Sequence, residues 1–250
     1  MLKLFKKTRN KFFRNHRDKN GSEKLFALND PKSPVAEAFR TLRTNITFAS
    51  VDRPYKTILI TSPTPADGKS TVIANLAMVM AQAGNTVLLV DADLRKSRQH
   101  NIFEFPNIKG LVNIIVQNEE LSNVVHPGPI NGFSIISSGP IPPNPSELLA
   151  SNKMAAFLND VRDDFDIVLI DSPPVIAVTD AALLATQVDG VILVIKSGVT
   201  RIDMINNAIE QLKKANEKFL GVVLNQVRIT PGDYYYYYYY GSSKQKSAHM

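Results

Sequence analysis

The chain has 250 residues, 44% of them apolar and 21% charged, with a formal net charge of +6 and no cysteine. That is enough chain for one sizeable core, and the lack of cysteine excludes disulfides, which fits a cytoplasmic protein. No apolar run reaches the ~18 residues of a membrane-spanning helix, and cations break up the apolar pairs of the N-terminal "MLKLFKKTRNKFFRNHRDKNG", so neither a spanning segment nor a secretory leader is expected.

The charge is unevenly placed. Residues 1–24 hold nine Lys/Arg and two acids, a balance of +7 that leaves −1 for everything else. Residues 1–29 therefore read as a basic flexible arm. With Leu2, Leu4, Phe5, Phe12 and Phe13 among its cations, it can lie on an anionic membrane surface; a solvated arm fits the same composition. The body offers no second basic stripe, so no nucleic-acid partner is expected.

Beyond the arm, "SPVAEAFRTLRTNITFAS" (33–50) opens with a serine cap and a proline and reads as a helix. "KTILITS" (56–62) reads as a strand and "KSTVIANLAMVMAQAG" (69–84) as a helix closed by Gly84. Strands follow at "TVLLVDAD" (86–93) and "FSIISS" (133–138), then a helix at "MAAFLNDVRDDF" (154–165) and a strand at "DIVLIDS" (166–172). "AALLATQV" (181–188) is a short helix, and "RIDMINNAIEQLKKA" (201–215) is a longer one between the strands "GVILVIKSG" (190–198) and "FLGVVLNQV" (219–227). The strands are continuous apolar runs, as expected when both sheet faces are covered. Alternation with helices then predicts an α/β three-layer sandwich with a mostly parallel central sheet.

Ligands of such sheets bind at the C-terminal strand ends, where three strands end in chemistry. The first runs into "TSPTPADGKST", with Gly68-Lys69-Ser70 opening a helix. Backbone N–H groups there can cradle phosphates, with Lys69 reaching the terminal ones and the Ser70 hydroxyl on Mg²⁺. Pro63 stands where the usual loop has its first glycine. The second strand ends in Asp91 and Asp93, whose alternation places both carboxylates on one side of the sheet end. The third ends in Asp171, after four apolar residues, as a magnesium-organising aspartate does. One hydroxyl with carboxylates acting directly or through water satisfies Mg²⁺, and a spare carboxylate can take a proton from an incoming hydroxyl. Arg95 and Lys96 can hold phosphate charge or form a solvated pair. Asn225 can read an adenine edge or serve a turn. Glu37, Arg40 and Arg43, at i, i+3 and i+6, can pair along one helix.

The tail, residues 230–250, holds seven consecutive tyrosines: Tyr234, Tyr235, Tyr236, Tyr237, Tyr238, Tyr239 and Tyr240. Their run has neither strand nor helix periodicity and is flanked by Pro231-Gly232 and Gly241-Ser242-Ser243, so it reads as exposed loop. Alone it would be a low-complexity segment prone to β-aggregation. Beside a phosphate loop it becomes a candidate phosphate acceptor.

Taken together, "ITSPTPADGKST", "VLLVDADLRK" and "IVLIDSPPV" resemble the Walker A, A′ and B boxes of the bacterial tyrosine kinases of capsule and exopolysaccharide synthesis. "SGPIPPNP" before "SEL" (138–148), the Glu37-x-x-Arg40-x-x-Arg43 pattern and the tyrosine cluster extend the likeness from about residue 30 to the tail. The resemblance implies a P-loop NTPase fold of the deviant Walker (MinD/ParA-like) type in residues 30–229. It also implies ATP bound by Ala66, Asp67, Gly68, Lys69, Ser70, Thr71 and Asn225, and Mg²⁺ organised by Ser70, Asp93 and Asp171. Lys69, Asp91 and Asp93 would be the catalytic residues, with Asp91 the base for the tyrosine hydroxyl. Glu37, Arg40 and Arg43 would line the interface of a ring-shaped oligomer in which each tail enters a neighbour's site. The chain is similar to the cytoplasmic Gram-positive type, which works at the inner face of the membrane through a membrane-embedded activator's cytoplasmic tail and is reversed by a cognate tyrosine phosphatase. Ala66 and Asp67 depart from the family's P-G-E-G-K-S loop, and a positive φ at position 66 would strain an alanine by ~1–2 kcal/mol.

Two other functions share some of these features. A membrane-associated ATPase switch of the cell-division or partition type has the same fold and boxes, but "PTPADGK" lacks the extra early lysine many such loops carry. A non-enzymatic nucleotide-binding scaffold would tolerate loss of Asp91, whereas a kinase would not.

Overall fold

The computed structural model describes residues 25–50, 55–215 and 218–228. Its frame is a seven-stranded sheet made of β1 (Thr57–Thr61), β2 (Val87–Asp91), β3 (Val125–Pro127), β4 (Phe133–Ile136), β5 (Ile167–Asp171), β6 (Gly190–Lys196) and β7 (Phe219–Asn225). The order is β3-β4-β2-β5-β1-β6-β7, and every pair is parallel except the short edge pair β3–β4. The mostly parallel α/β sandwich expected from the sequence is the fold observed.

Alternate strand residues feed two cores, one on each face, as a side-chain period of two requires. Leu59, Leu88, Val90, Val168, Ile170, Val191 and Leu193 face one side. There they meet α5 (Leu111–Gln117), α7 (Asn152–Asp164), α8 (Asp180–Ala185) and α9 (Ile202–Ala215). Ile58, Ile60, Val87, Leu89, Leu169, Ile192 and Val194 face the other, against α3 (Lys69–Gln82).

The α3 helix is buried almost all round, at Lys69 and at every position from Val72 to Ala81. Such a helix needs cover on its outer side too. That cover is α1 (Phe26–Asn29) and α2 (Pro34–Ala49), a partial extra layer beyond the three expected. Ser33 caps α2 by accepting from Ala36 N–H at 3.2 Å, with Pro34 in the first turn, as the sequence predicts.

Residues 25–29, which the sequence reading assigns to the arm, belong to the packed body. Leu25 and Ala27 are buried, Ala27 N–H donates to Asn75 Oδ1 at 3.0 Å, and Gln82 Nε2 donates to the Ala27 carbonyl at 3.1 Å. A four-residue helix without apolar periodicity has no local signal; its order comes from α3. Among the described residues, no helix is long and apolar enough to cross a membrane.

Candidate active site

β1 hands the chain to α3 through residues 62–68. Gly68 is the N-cap of α3, left-handed at φ 95°, and no side chain caps the helix start. The first-turn N–H groups of this 14-residue helix thus remain available to an anion. That φ favours glycine, and a Cβ would lie 2.1 Å from Asn225 Nδ2 and displace that side chain. Ala66 has φ 67°, so the strain foreseen for an alanine at that position is present. Asp67 is buried, and its carboxylate accepts from Thr64 N–H and Thr64 Oγ1, both at 2.9 Å, and from Thr200 Oγ1 at 2.8 Å. Its backbone carbonyl accepts from Asn225 Nδ2 at 2.9 Å. Asn225 therefore ties the end of β7 to the loop, while its Oδ1 accepts from Gln226 N–H at 2.9 Å, the local bond of a turn asparagine. Thr71, in the first turn of α3, is partly buried.

Lys69 makes the central cluster. Its Nζ lies 3.1 Å from Asp93 Oδ2, 3.3 Å from Asp171 Oδ1 and 3.2 Å from Ser70 Oγ. Burial pulls the lysine pKa down, but the charges of Asp171 and Asp93 outweigh burial and hold it above its ordinary value. The ammonium is thus charged, and it touches all three residues that the sequence reading assigns to the metal. Among the described residues no group of three or more His, Cys, Asp or Glu could hold a metal ion. Two carboxylates and a hydroxyl are a leaner set, suited to an ion that keeps several waters.

Asp91 and Asp93 come together differently from the sequence expectation. β2 ends at Asp91, so strand alternation does not align the two carboxylates; the loop beyond the strand curls around them. Asp93 N–H donates to Asp91 Oδ1 at 3.2 Å, and Lys96 N–H donates to Asp93 Oδ1 at 2.9 Å. Asp91 Oδ2 accepts from Ser97 Oγ at 2.7 Å and from the N–H groups of Arg98 and Gln99 at 2.9 Å each. Burial, then the charge of Asp171, pushes Asp91 up to about 7, against the hydrogen bonds from Ser97, Gln99 and Arg98. A carboxylate that titrates near neutral pH suits a general base.

The sequence reading missed Gln99, a fully buried side chain at the start of α4 (Gln99–Ile102). Its Nε2 donates to Asp171 Oδ2 at 2.7 Å and to the Ser70 carbonyl at 3.2 Å, while its Oε1 is buried without a partner. One glutamine between arginine and histidine carries no sequence signal; only the fold brings it across to Asp171.

Arg95 is exposed yet engaged by the protein, an arrangement neither sequence alternative describes. It forms a two-pronged ion pair with Asp180, Nε to Oδ2 at 2.9 Å and Nη2 to Oδ1 at 3.1 Å. The Lys96 side chain is exposed. On α2, Arg40 pairs with Glu37 at 2.6 Å and also donates to the Pro31 carbonyl, whereas Arg43 Nη1 donates to the Val79 carbonyl of α3 at 3.0 Å. Glu37 and Arg40 do form the pair their spacing allows; Arg43 instead bolts α2 to α3. Tyr234 to Tyr240 lie outside the described residues.

Residues 55–223 match the family model described as AAA domain. The chain is 41% identical over 217 residues to the tyrosine-protein kinase YwqD of Bacillus subtilis (strain 168), across 87% of this chain and 92% of that relative. It is 36% identical over 212 residues to the tyrosine-protein kinase etk of Escherichia coli (strain K12), across 85% of this chain and 29% of that longer protein. Among solved structures it is similar to the chimerical protein CapA2B2, with a TM-score of 0.80 and 40% identity over 83% of this chain and 91% of that one. The septum site-determining protein MinD of Pyrococcus horikoshii OT3, complexed with Mg-ADP, has a TM-score of 0.58 at 21% identity, over 73% of this chain and 76% of that one. At that identity the likeness is one of fold, so the switch-ATPase reading is not favoured over the kinase. The chain belongs to the bacterial tyrosine-protein kinases and carries their function on a MinD-like P-loop NTPase fold.

Proposed function

We propose that this kinase uses ATP and Mg²⁺ to phosphorylate the tyrosines of its own C-terminal cluster, Tyr234 to Tyr240, in trans within a ring-shaped oligomer. The single observation that carries the site assignment is the convergence of Ser70, Asp93 and Asp171 on one buried cation, the Lys69 ammonium. Three oxygen-bearing side chains gathered around a positive charge are the donor set a hydrated divalent ion takes. The uncapped start of α3 beside them suits phosphate.

ATP supplies the transferable γ-phosphoryl group, and Mg²⁺ neutralises the charge carried on its oxygens. Residues Ala66 to Thr71 would hold the phosphates, with Lys69 leaving its two carboxylates to meet them, and Asn225 would flank the base. Ser70, Asp93 and Asp171 would hold the metal, directly or through water. Asp91 would accept the tyrosine proton as the tyrosine oxygen bonds to phosphorus and the bond to ADP breaks. The pKa near 7 supports that role, because a base so tuned is substantially ionised at neutral pH yet basic enough to accept a proton.

In the wider reading, the kinase body, which the packed residues 25–29 extend to 25–229, lies between the basic arm and the acceptor tail. Glu37, Arg40 and Arg43 lie at the subunit interface, which the exposed Glu37–Arg40 pair leaves accessible. The chain works at the inner face of the membrane with an activator's cytoplasmic tail, is reversed by a tyrosine phosphatase and regulates capsular or exopolysaccharide synthesis. Intact-mass spectrometry after incubation with ATP and Mg²⁺, with and without an activator tail, tests the reaction. The expected result is a ladder of phosphate additions on the tyrosine cluster that Lys69→Met abolishes. ADP release without any ladder would return the chain to the switch ATPases.

A further inference from the structure

Across the strand ends the site has a direction. Asn225, on edge strand β7, bonds the phosphate loop on one side. On the other side, past β5, lies the Asp91–Gln99 loop at the end of β2, which neighbours β4. With the base beside Asn225, an acceptor hydroxyl approaches from the β2 side, over that loop.

The loop is fastened by a closed triangle of polar side chains. Arg95 Nε and Nη2 donate to Asp180 Oδ2 and Oδ1 at 2.9 and 3.1 Å, and Arg95 Nη2 also donates to Ser146 Oγ at 2.9 Å. The Ser146 hydroxyl in turn donates to Asp180 Oδ1 at 2.6 Å. Asp180 opens α8, beyond the Asp171 segment, and its side chain is fully buried. Ser146 lies in α6 (Pro145–Leu149), within "PPNPSEL". Three segments distant in sequence therefore meet at Arg95, two residues beyond Asp93.

A planar guanidinium held by both oxygens of one carboxylate fixes direction as well as distance. The loop it anchors is the one whose N–H groups at Lys96, Arg98 and Gln99 hold the carboxylates of Asp93 and Asp91. Among the described residues, the side-chain hydrogen bonds of the triangle run within it and not to the phosphate loop.

We infer that Arg95, Asp180 and Ser146 form a positioning latch that sets the Asp91–Gln99 loop for the acceptor tyrosine while leaving nucleotide binding to α3. The transfer half of this inference rests on the kinase reading above; the loop half does not. Ser146→Ala removes one hydroxyl and keeps the ion pair, Arg95→Lys keeps the charge without the fork, and Asp180→Asn keeps the shape without the charge.

Hydrogen–deuterium exchange reads the loop directly. In Ser146→Ala and Arg95→Lys, the amides of Lys96, Arg98 and Gln99 should exchange about tenfold faster while those of Val72 to Ala81 keep wild-type protection. Tail phosphorylation should fall about 10- to 100-fold, with affinity for a fluorescent ADP analogue within about threefold of wild type and Asp180→Asn the most affected. Unchanged exchange at the three loop amides in all variants overturns the latch, whether or not the chain phosphorylates itself. Equal loss of nucleotide affinity and transfer also overturns it, since that describes general destabilisation. Faster loop exchange in a chain whose wild type adds no phosphate leaves the latch standing and removes the kinase reading.

Discussion

Asp91 carries two duties that pull in opposite directions. Four donors organise the loop around its carboxylate, and each favours the ionised form. Complete burial beside Asp171 favours the protonated form and wins, leaving a pKa of about 7. An unfolded aspartate titrates near 3.8. Between about pH 4 and 7 the folded chain therefore holds a proton that the unfolded chain has released. By linkage this group's contribution to stability falls as pH rises through that window, with the full penalty present above about 7. Asp91→Asn would turn its NH2 toward the Asp93 N–H and lose that contact at every pH, but relative to this variant wild type should lose on the order of 2–4 kcal/mol of stability between pH 4 and pH 8. Urea unfolding at several pH values reads this. The same substitution should abolish tail phosphorylation, and the wild-type rate should rise with pH along a limb centred near 7. A variant that still transfers phosphate, or a wild-type rate flat across that range, would remove Asp91 from the base role.

At the scale of elements, the phosphate loop shows how local strain and tertiary staples balance. Ala66 sits at φ 67°, a conformation that costs an alanine ~1–2 kcal/mol. Asp67 holds the loop in place with three side-chain acceptor contacts and one through its carbonyl. Ala66→Gly should remove most of the strain and give back part of the gain to glycine's larger unfolded entropy, ~0.5–1 kcal/mol. A net rise of about 1–2 °C in melting temperature is expected for a chain this long; a fall would mean that the staple relieves the strain already. The strands were legible because parallel strands covered on both faces are uninterrupted apolar runs, and α3 because glycine, lysine and serine open it. The short elements were not. β3 has three residues, α4 four and α6 five, too few for either periodicity, and each is ordered by what it packs against. The same limit hid Gln99 and Asp180, whose partners lie 72 and 85 residues away in the chain. Asp93 was legible by type but not by placement, because the strand stops two residues before it.

For the whole molecule the governing quantity is charge and where it resides. The N-terminal arm carries +7 and the rest of the chain −1, so in the proposed oligomer an unmodified tyrosine cluster would meet a neighbouring subunit with little net repulsion. Each phosphate adds about −1.5 to −2 charge. Full modification of Tyr234 to Tyr240 would take the chain from +6 to about −5 to −8. The proposed active site gathers Asp91, Asp93 and Asp171 around a single lysine and would also hold nucleotide phosphates, so it cannot readily accept so anionic a segment. Phosphorylation should therefore expel the tail and weaken the oligomer, making the acceptor cluster the switch that ends assembly. Sedimentation of the unmodified and fully phosphorylated chains at low salt should give different masses, the phosphorylated one smaller. Raising the salt to about 1 M shortens electrostatic reach to ~3 Å, and should restore association if repulsion alone is responsible. Equal masses at low salt would show that tail charge does not govern assembly. A phosphorylated form still dissociated at high salt would locate the effect in lost tyrosine contacts instead of charge.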